Sequence, residues 1–345
     1  MLGIDAKAAR YTWTAALVLL LICVVFLVRG TLFVFAIALM FAYLLYPLMD
    51  AFDRRLSSLD KTLRSRTPAL ALTYLLVIGV LVVFGAFVGS RVANQAAQLA
   101  REVRNPDFAG QVRGWKLLGF PVGLQIAGHY EGILNALPQI TLRVLSASRN
   151  LIYLVVIPIL SFFILKDGRR IRDGLLEMLD AGRDEAEETL LEAHTLLLQY
   201  MRALLFLCLA TLMVFSIVLE ALGVPYAFLL AAIAFPLEFV PLFGPLTAAA
   251  IIIAVSALSG YPHVLWVAAF LGVYRLFQDY VLSPHLMSSG VELDPLLVIF
   301  GVFAGGEIGG VEGVFLSVPI LALVRLGYHH LRKRRLVTRA TALRS

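Results

Sequence analysis

The sequence predicts an all-α polytopic membrane protein, with about six full transmembrane helices and two short-armed re-entrant helical hairpins in inverted arrangement. Three observations carry this expectation. Of 345 residues, 60% are hydrophobic and 15% charged, whereas soluble domains are about half apolar and a quarter charged. The apolar residues gather into runs near the roughly 20 that a helix needs to cross hydrocarbon. Two later pairs of apolar runs are shorter and meet at loops holding proline, glycine and acids.

In chain order, residues 13–28 (WTAALVLLLICVVFLV) predict the first span, Arg29-Gly30 a tight turn, and 31–49 the returning span, closed by Tyr46-Pro47. One apolar stretch follows the other at once, so the N-terminus reads as a span and not as a cleavable leader. Residues 69–90 predict the third span. In 91–150, Val92, Ala96, Leu99 and Val103 recur at helical spacing, which predicts an amphipathic helix. A stretch punctuated by Gly and Pro and a second amphipathic run, 133–145, complete a small extramembrane module, because long structureless connectors are uncommon. Residues 151–165 predict the fourth span, kinked by Pro158 and closed by Lys166-Asp167-Gly168. A charged amphipathic segment through 198 leads to the fifth span, 199–220. The sixth, 262–283, runs to a Ser283-Pro284 break. Five regions follow: 1–90, 91–150, 151–198, 199–326 and a basic tail, 327–345.

Basic residues set the expected orientation, since cytoplasmic loops collect Lys and Arg. With the N-terminus inside, the four inside segments (before 13, 53–68, 166–198, after 327) hold 2, 5, 5 and 6 of them, 18 of the 29. Both termini are therefore expected in the cytoplasm. The same distribution explains the net charge of +6 without any nucleic acid. Cys23 and Cys208 stand apart in separate apolar runs, so neither a disulfide framework nor a metal site is implied.

The first short pair is 225–235 and 246–258, around PLEFVPLFGP (236–245), where three prolines forbid a continuous helix. The second is 295–304 and 311–326, around GGEIGGVEG (305–313) with its five glycines. Each pair opens on Gly-Val (Gly223-Val224, Gly290-Val291), and the two start from opposite sides. Paired interrupted segments of opposite topology point to a transporter site near the bilayer midplane.

The run GVPYAFLLA with PLEFVPLFGP, then DYVLSPHLM, then DPLLVIFGVFAGGEIGGVEGVFLSVPILAL, resembles the signature of the autoinducer-2 exporter family of bacterial permeases, as does FFILKDG after the fourth span. The likeness covers most of the chain and is strongest from residue 199 onward. It implies a multi-spanning transporter of the bacterial inner membrane, homo-oligomeric in assembly. The chain departs from the family's usual pattern at Asp294-Pro295, at Glu307 and Glu312, and at Asp279-Tyr280.

Candidate binding residues cluster at the breaks. Glu238, with Pro241 and Gly244 beside it, is an acid at membrane depth that needs a partner or a cavity; the alternative is solvation at an interface. Glu307 and Glu312 sit among Gly305, Gly306 and Gly310, whose bare backbone lets a ligand approach. Two neighbouring acids suit a cation or a shared proton; the alternative is close glycine packing with both acids at the surface. Gln278 and Asp279 precede the end of the sixth span, where unpaired carbonyls suit cations. An Arg275–Asp279 pair at i, i+4 would instead make that end structural. No catalytic or nucleotide-binding signature occurs, neither GxSxG nor HExxH nor a P-loop. No enzyme activity and no cofactor are expected, and energy must come from an ion gradient or a partner. The expected function is transport or export of a small polar solute, coupled to H+ or Na+. A cation/proton antiporter using Glu238 and Glu307 is the second reading. A non-transporting scaffold whose 91–150 module binds partners is the third.

Overall fold

A bilayer offers the backbone no water, so each apolar run must close its own N–H···O=C bonds. In the computed structural model every regular element among the described residues is helical. The residues described are 6–59, 66–103, 151–177, 183–282, 285 and 294–342. They form α1 (Ala6–Leu27), α2 (Arg29–Leu59), α3 (Arg66–Phe84), α4 (Ser90–Val103), α5 (Leu151–Glu177), α6 (Arg183–Ala221), α7 (Ala227–Leu237), α8 (Phe243–Leu258), α9 (Val264–Phe277) and α10 (Pro295–Ala342). A π-helical turn, Gly85–Gly89, joins α3 to α4, and another, Gln278–Leu282, extends α9. The remainder of the 91–150 module, Gly290-Val291 and the Ser283-Pro284 break lie outside the described residues.

Among the described residues six stretches are long and apolar enough to cross a membrane: Arg10–Leu27, Arg29–Ser58, Arg66–Glu102, Arg183–Ala221, Val264–Leu282 and Pro295–His330. The expected fourth span lies within α5, the side chains of whose first four residues are outside the described ones. Pro295–His330 qualifies by length although its backbone leaves helical geometry at Gly309 and Gly310.

Three expected boundaries move. The break between the first two spans falls at Val28, and Arg29 and Gly30 already belong to α2. Lys166–Arg170 does not close the fourth helix, which continues to Glu177. Nothing separates the charged segment from the fifth span, because α6 runs unbroken for 39 residues, about 58 Å at 1.5 Å per residue. The cause is shared: none of these places has a proline or a left-handed glycine, and a lone helical glycine such as Gly168 costs only about 1 kcal/mol. True ends look different. After α6, Gly223 (φ +72) lets its own N–H reach Glu220 O at 2.9 Å and the Val224 N–H reach Leu219 O at 2.9 Å, the paired bonds of a Schellman cap. Gly260 (φ +68) closes α8 in the same way.

Two helices organise the packing. α2 joins α3 and α5 through Met49, Leu70 and Leu165, and joins α6 and α10 through Met40, Met201 and Leu316. α6 also carries the hairpin α7–α8 and α9 on Phe215, Leu219, Leu230, Ile252 and Leu271. Val92, Ala96 and Leu99 of α4 pack against that cluster, so the amphipathic stripe is present and its partner is the start of the first hairpin. The Leu229 N–H, an orphan donor in the first turn of α7, is taken by Gln95 Oε1 at 2.8 Å. Outward faces stay apolar: α1 is exposed from Arg10 onward, and Leu75, Ile78, Leu81 and Phe87 project from the α3–α4 column. Apolar area on this scale suits lipid and not water.

Candidate functional site

Both interrupted segments fold into helical hairpins, and each reverses by a different backbone device. At the first, α7 ends at Leu237 and α8 starts at Phe243. Between them Leu242 sits at φ 66, ψ −56, and the Phe243 N–H bonds Pro241 O at 2.7 Å. That is a γ-turn of the strained left-handed-φ type, a rare conformation for a branched residue. Gly244 is required next to it, since a Cβ there would land on the Leu237 carbonyl; Pro241 is half-buried in the turn. At the second hairpin, Gly310 (φ +60) reverses α10. Its arms, 295–308 and 311–342, then approach backbone to backbone. A Cβ on Gly305 or on Gly313 would strike the other residue's carbonyl, and Gly306 lies against Val314.

The first turn delivers Glu238 into the bundle, 8% exposed. The Thr211 hydroxyl of α6 donates to Glu238 Oε1 at 3.0 Å and accepts from the Tyr274 hydroxyl at 3.1 Å. Gln278, in the π turn after α9, donates its Nε2 to Glu238 Oε2 at 3.3 Å. Thr211 and Gln278 are buried at 0% and 2% exposure. A carboxylate is thus held by two neutral donors, from α6 and from the π turn, and no salt bridge reaches it among the described residues. Arg275 pairs with Asp279 at 2.9 Å. Asp279 therefore points away from the cluster that Gln278 enters, a consequence of adjacent helical positions facing different ways.

Glu307 and Glu312 are elsewhere. Both are exposed, and they line a cleft of about 550 Å³ with Arg29, Phe33, Ile157 and Gly309. The hairpins touch along their sides: Phe239 meets Phe315 at 5.9 Å and Phe243 meets Phe303 at 5.4 Å between ring centroids. Phe303 and Phe315 each lie more than one helical turn from Gly309-Gly310. So the structure joins Glu238 to Gln278, joins Glu307 to Glu312, and leaves Asp279 with Arg275. Thr211 lies ten residues before the Ala221 end of α6, about 15 Å along the axis, whereas Phe33 lies four residues inside α2, about 6 Å.

Against known sequences, the profile of the AI-2E family transporter matches residues 15–333. The chain belongs to the AI-2E transporter family. YueF, a candidate transport protein of Bacillus subtilis strain 168, is 25% identical over 345 aligned residues, covering 92% of each chain. MT0215, a candidate transport protein of Mycobacterium tuberculosis, is 30% identical over 302, covering 83% of this chain and 79% of its own. The AI-2 transport protein TqsA of Escherichia coli K12 is 26% identical over 301, covering 85% and 83%. With six apolar helices, this AI-2E family chain is a multi-pass membrane transport protein.

Two members of the carboxylate cluster escape a reading of short motifs. Thr211 is a hydroxyl inside an apolar run, which rotamer-local bonding to the preceding turn often explains. Tyr274 stands four residues before Gln278, so both share one helix face; that spacing was the available signal. At the charged end of α6, Glu188 and Glu192 bring their carboxylates within 4.8 Å of the His330 ring nitrogens, the one group of three potential metal ligands among the described residues.

Proposed function

We propose that this chain is a secondary transporter of the bacterial inner membrane that moves a small polar solute, with Glu238 as the group coupling the movement to H+ or Na+. The observation that carries the reading is the carboxylate itself. It sits at a helix break deep in the bundle, ringed by Thr211, Tyr274 and Gln278 and without a salt bridge among the described residues. An acid kept in such a place is costly, and a proton or a hard cation can occupy it where a fixed guanidinium could not leave. Oxygens from Glu238, Thr211 and Tyr274 also suit Na+, which favours cation/proton antiport as the second reading. The γ-turn at Leu242 and the glycine contact at Gly305–Gly313 give the two hairpins distinct mechanical character, one strained and one tightly joined.

The hairpins are re-entrant in this reading, and the cleft at Arg29, Glu307 and Glu312 is the opening on the external face. Both termini are cytoplasmic, and the protein works as a homo-oligomer. TqsA carries AI-2 in its name, so AI-2 is the first solute to try. In proteoliposomes with an imposed pH or Na+ gradient, Glu238→Gln abolishes gradient-driven uptake while the protein still assembles. Unchanged uptake and unchanged gradient dependence in Glu238→Gln would refute the role of this acid. In a background lacking Cys23 and Cys208, Thr189→Cys labels from the cytoplasm and Gln111→Cys from outside; the reverse pattern inverts the topology.

A further inference from the structure

At the end of the bundle remote from Arg29, α2 and α6 part around a second cleft of about 600 Å³. Its polar lining is Asp50, Arg54, Arg55, His194 and Arg202. Three guanidiniums thus face one carboxylate, and Arg54 already holds that carboxylate as an i, i+4 pair. Arg55 and Arg202 have no ion-pair partner among the described residues. His194 does not supply negative charge either: its Nδ1 lies 3.2 Å from the Tyr43 hydroxyl and its ring packs edge-on to Tyr46 at 5.0 Å. The same cleft has an apolar part of its lining, Pro47 and Leu198. Along α2, Arg55 stands 26 residues from Arg29, about 39 Å, which exceeds the roughly 30 Å of hydrocarbon and places the guanidiniums at headgroup depth.

The planar forks of free guanidiniums present paired N–H donors to the several oxygens of a tetrahedral phosphate, and two acting together add orientation as well as attraction. We infer that this cleft binds a phosphate group between Arg55 and Arg202. The carrier is either an anionic phospholipid headgroup, with its chain along Pro47 and Leu198, or a soluble phosphorylated small molecule. The inference is independent of the role given to Glu238.

Native mass spectrometry of the full-length protein in detergent tests it with phosphatidylglycerol, diacylglycerol and glycerol 3-phosphate as probes. In the lipid case, wild type retains phosphatidylglycerol and R55Q/R202Q retains about tenfold less, as expected for losing charge-assisted contacts, while diacylglycerol is held equally by both. In the soluble case the same drop appears with glycerol 3-phosphate and not with the lipid. R55K/R202K keeps the charge without the fork, so its retention falls between the two, and it carries the comparison if the Gln variant fails to fold. The proposal is overturned if wild type retains neither phosphate-bearing probe, or if retention of both is the same in wild type and in the variants.

Discussion

Replacing Thr211 by valine keeps the volume of a fully buried side chain and deletes only its hydroxyl. In the structure that hydroxyl serves two partners, so the change orphans Glu238 Oε1 and the Tyr274 hydroxyl together. A helix–helix hydrogen bond inside a membrane protein contributes about 0.6 kcal/mol on average and up to about 1.7. A buried acceptor left unsatisfied costs about 1–3 kcal/mol, and more where it is charged. Adding one ordinary loss at Tyr274 to the orphaned carboxyl gives about 2–4 kcal/mol. Thr211→Ser restores the hydroxyl and removes only a buried methyl, about 0.8 kcal/mol. Equilibrium unfolding in mixed detergent micelles, followed by tryptophan fluorescence, measures both. In a double-mutant cycle with Glu238→Gln, directly bonded residues couple by at least about 0.5 kcal/mol. If Thr211→Val is no less stable than Thr211→Ser, or if the cycle is additive, the hydroxyl does not hold Glu238 and the cluster is wrong as described.

Other outcomes follow from the hairpins. Leu242→Gly relieves a backbone conformation worth about 1–3 kcal/mol against a glycine entropy cost of about 0.5–1 kcal/mol; the variant is the more stable in the same unfolding measurement, and a loss of stability would deny the strain. Gly313→Ala forces the arms of α10 apart, an overpacking penalty of about 1–3 kcal/mol, and slows disulfide trapping between cysteines placed at Gly301 and Leu321; trapping as fast as with glycine would contradict the contact. Gln95→Ala uncovers the Leu229 N–H and destabilises by about 0.5–2 kcal/mol, as loss of a helix cap does, with the change read from unfolding and with Gln95→Glu retaining most of the wild-type stability. Asp279→Asn breaks only the half-exposed pair with Arg275 and leaves gradient-driven uptake intact, whereas loss of uptake would return Asp279 to the site.

Helices, hairpins and the amphipathic stripe were legible because each depends on local chemistry. Apolar period sets helix and face, the proline-rich stretch from Pro236 to Pro245 interrupts the first hairpin between α7 and α8, and glycine at 223 and 310 supplies the positive φ that its neighbours avoid. Val92, Ala96 and Leu99 announced a buried side without naming the surface that buries it. The site was only partly legible. Glu238 stood out as an acid among prolines, and Gln278 as an amide at a helix end, but nothing along the chain joined two residues 40 positions apart. Asp279 looked equivalent to Gln278 until helical rotation separated them. Glu238 and Glu307 looked like matched tips because the halves have similar lengths and breaks; the depth of each acid depends instead on side-by-side hairpin packing through Phe239, Phe243, Phe303 and Phe315. Thr211 and Tyr274 have ordinary structural reasons to occur in apolar helices, so only three-dimensional proximity marks them.

The unbroken column from Arg66 to Glu102 reaches further than a span requires. Its 37 residues amount to about 55 Å, some 25 Å more than the hydrocarbon. The surplus is α4, clasped to the first hairpin by Gln95 on Leu229 and by Arg91 over the Phe228 ring at 5.0 Å. The outer end of this column is thereby fastened to the root of the hairpin whose far end carries Glu238, and the π turn at Gly85–Gly89 lies between that fastening and α3.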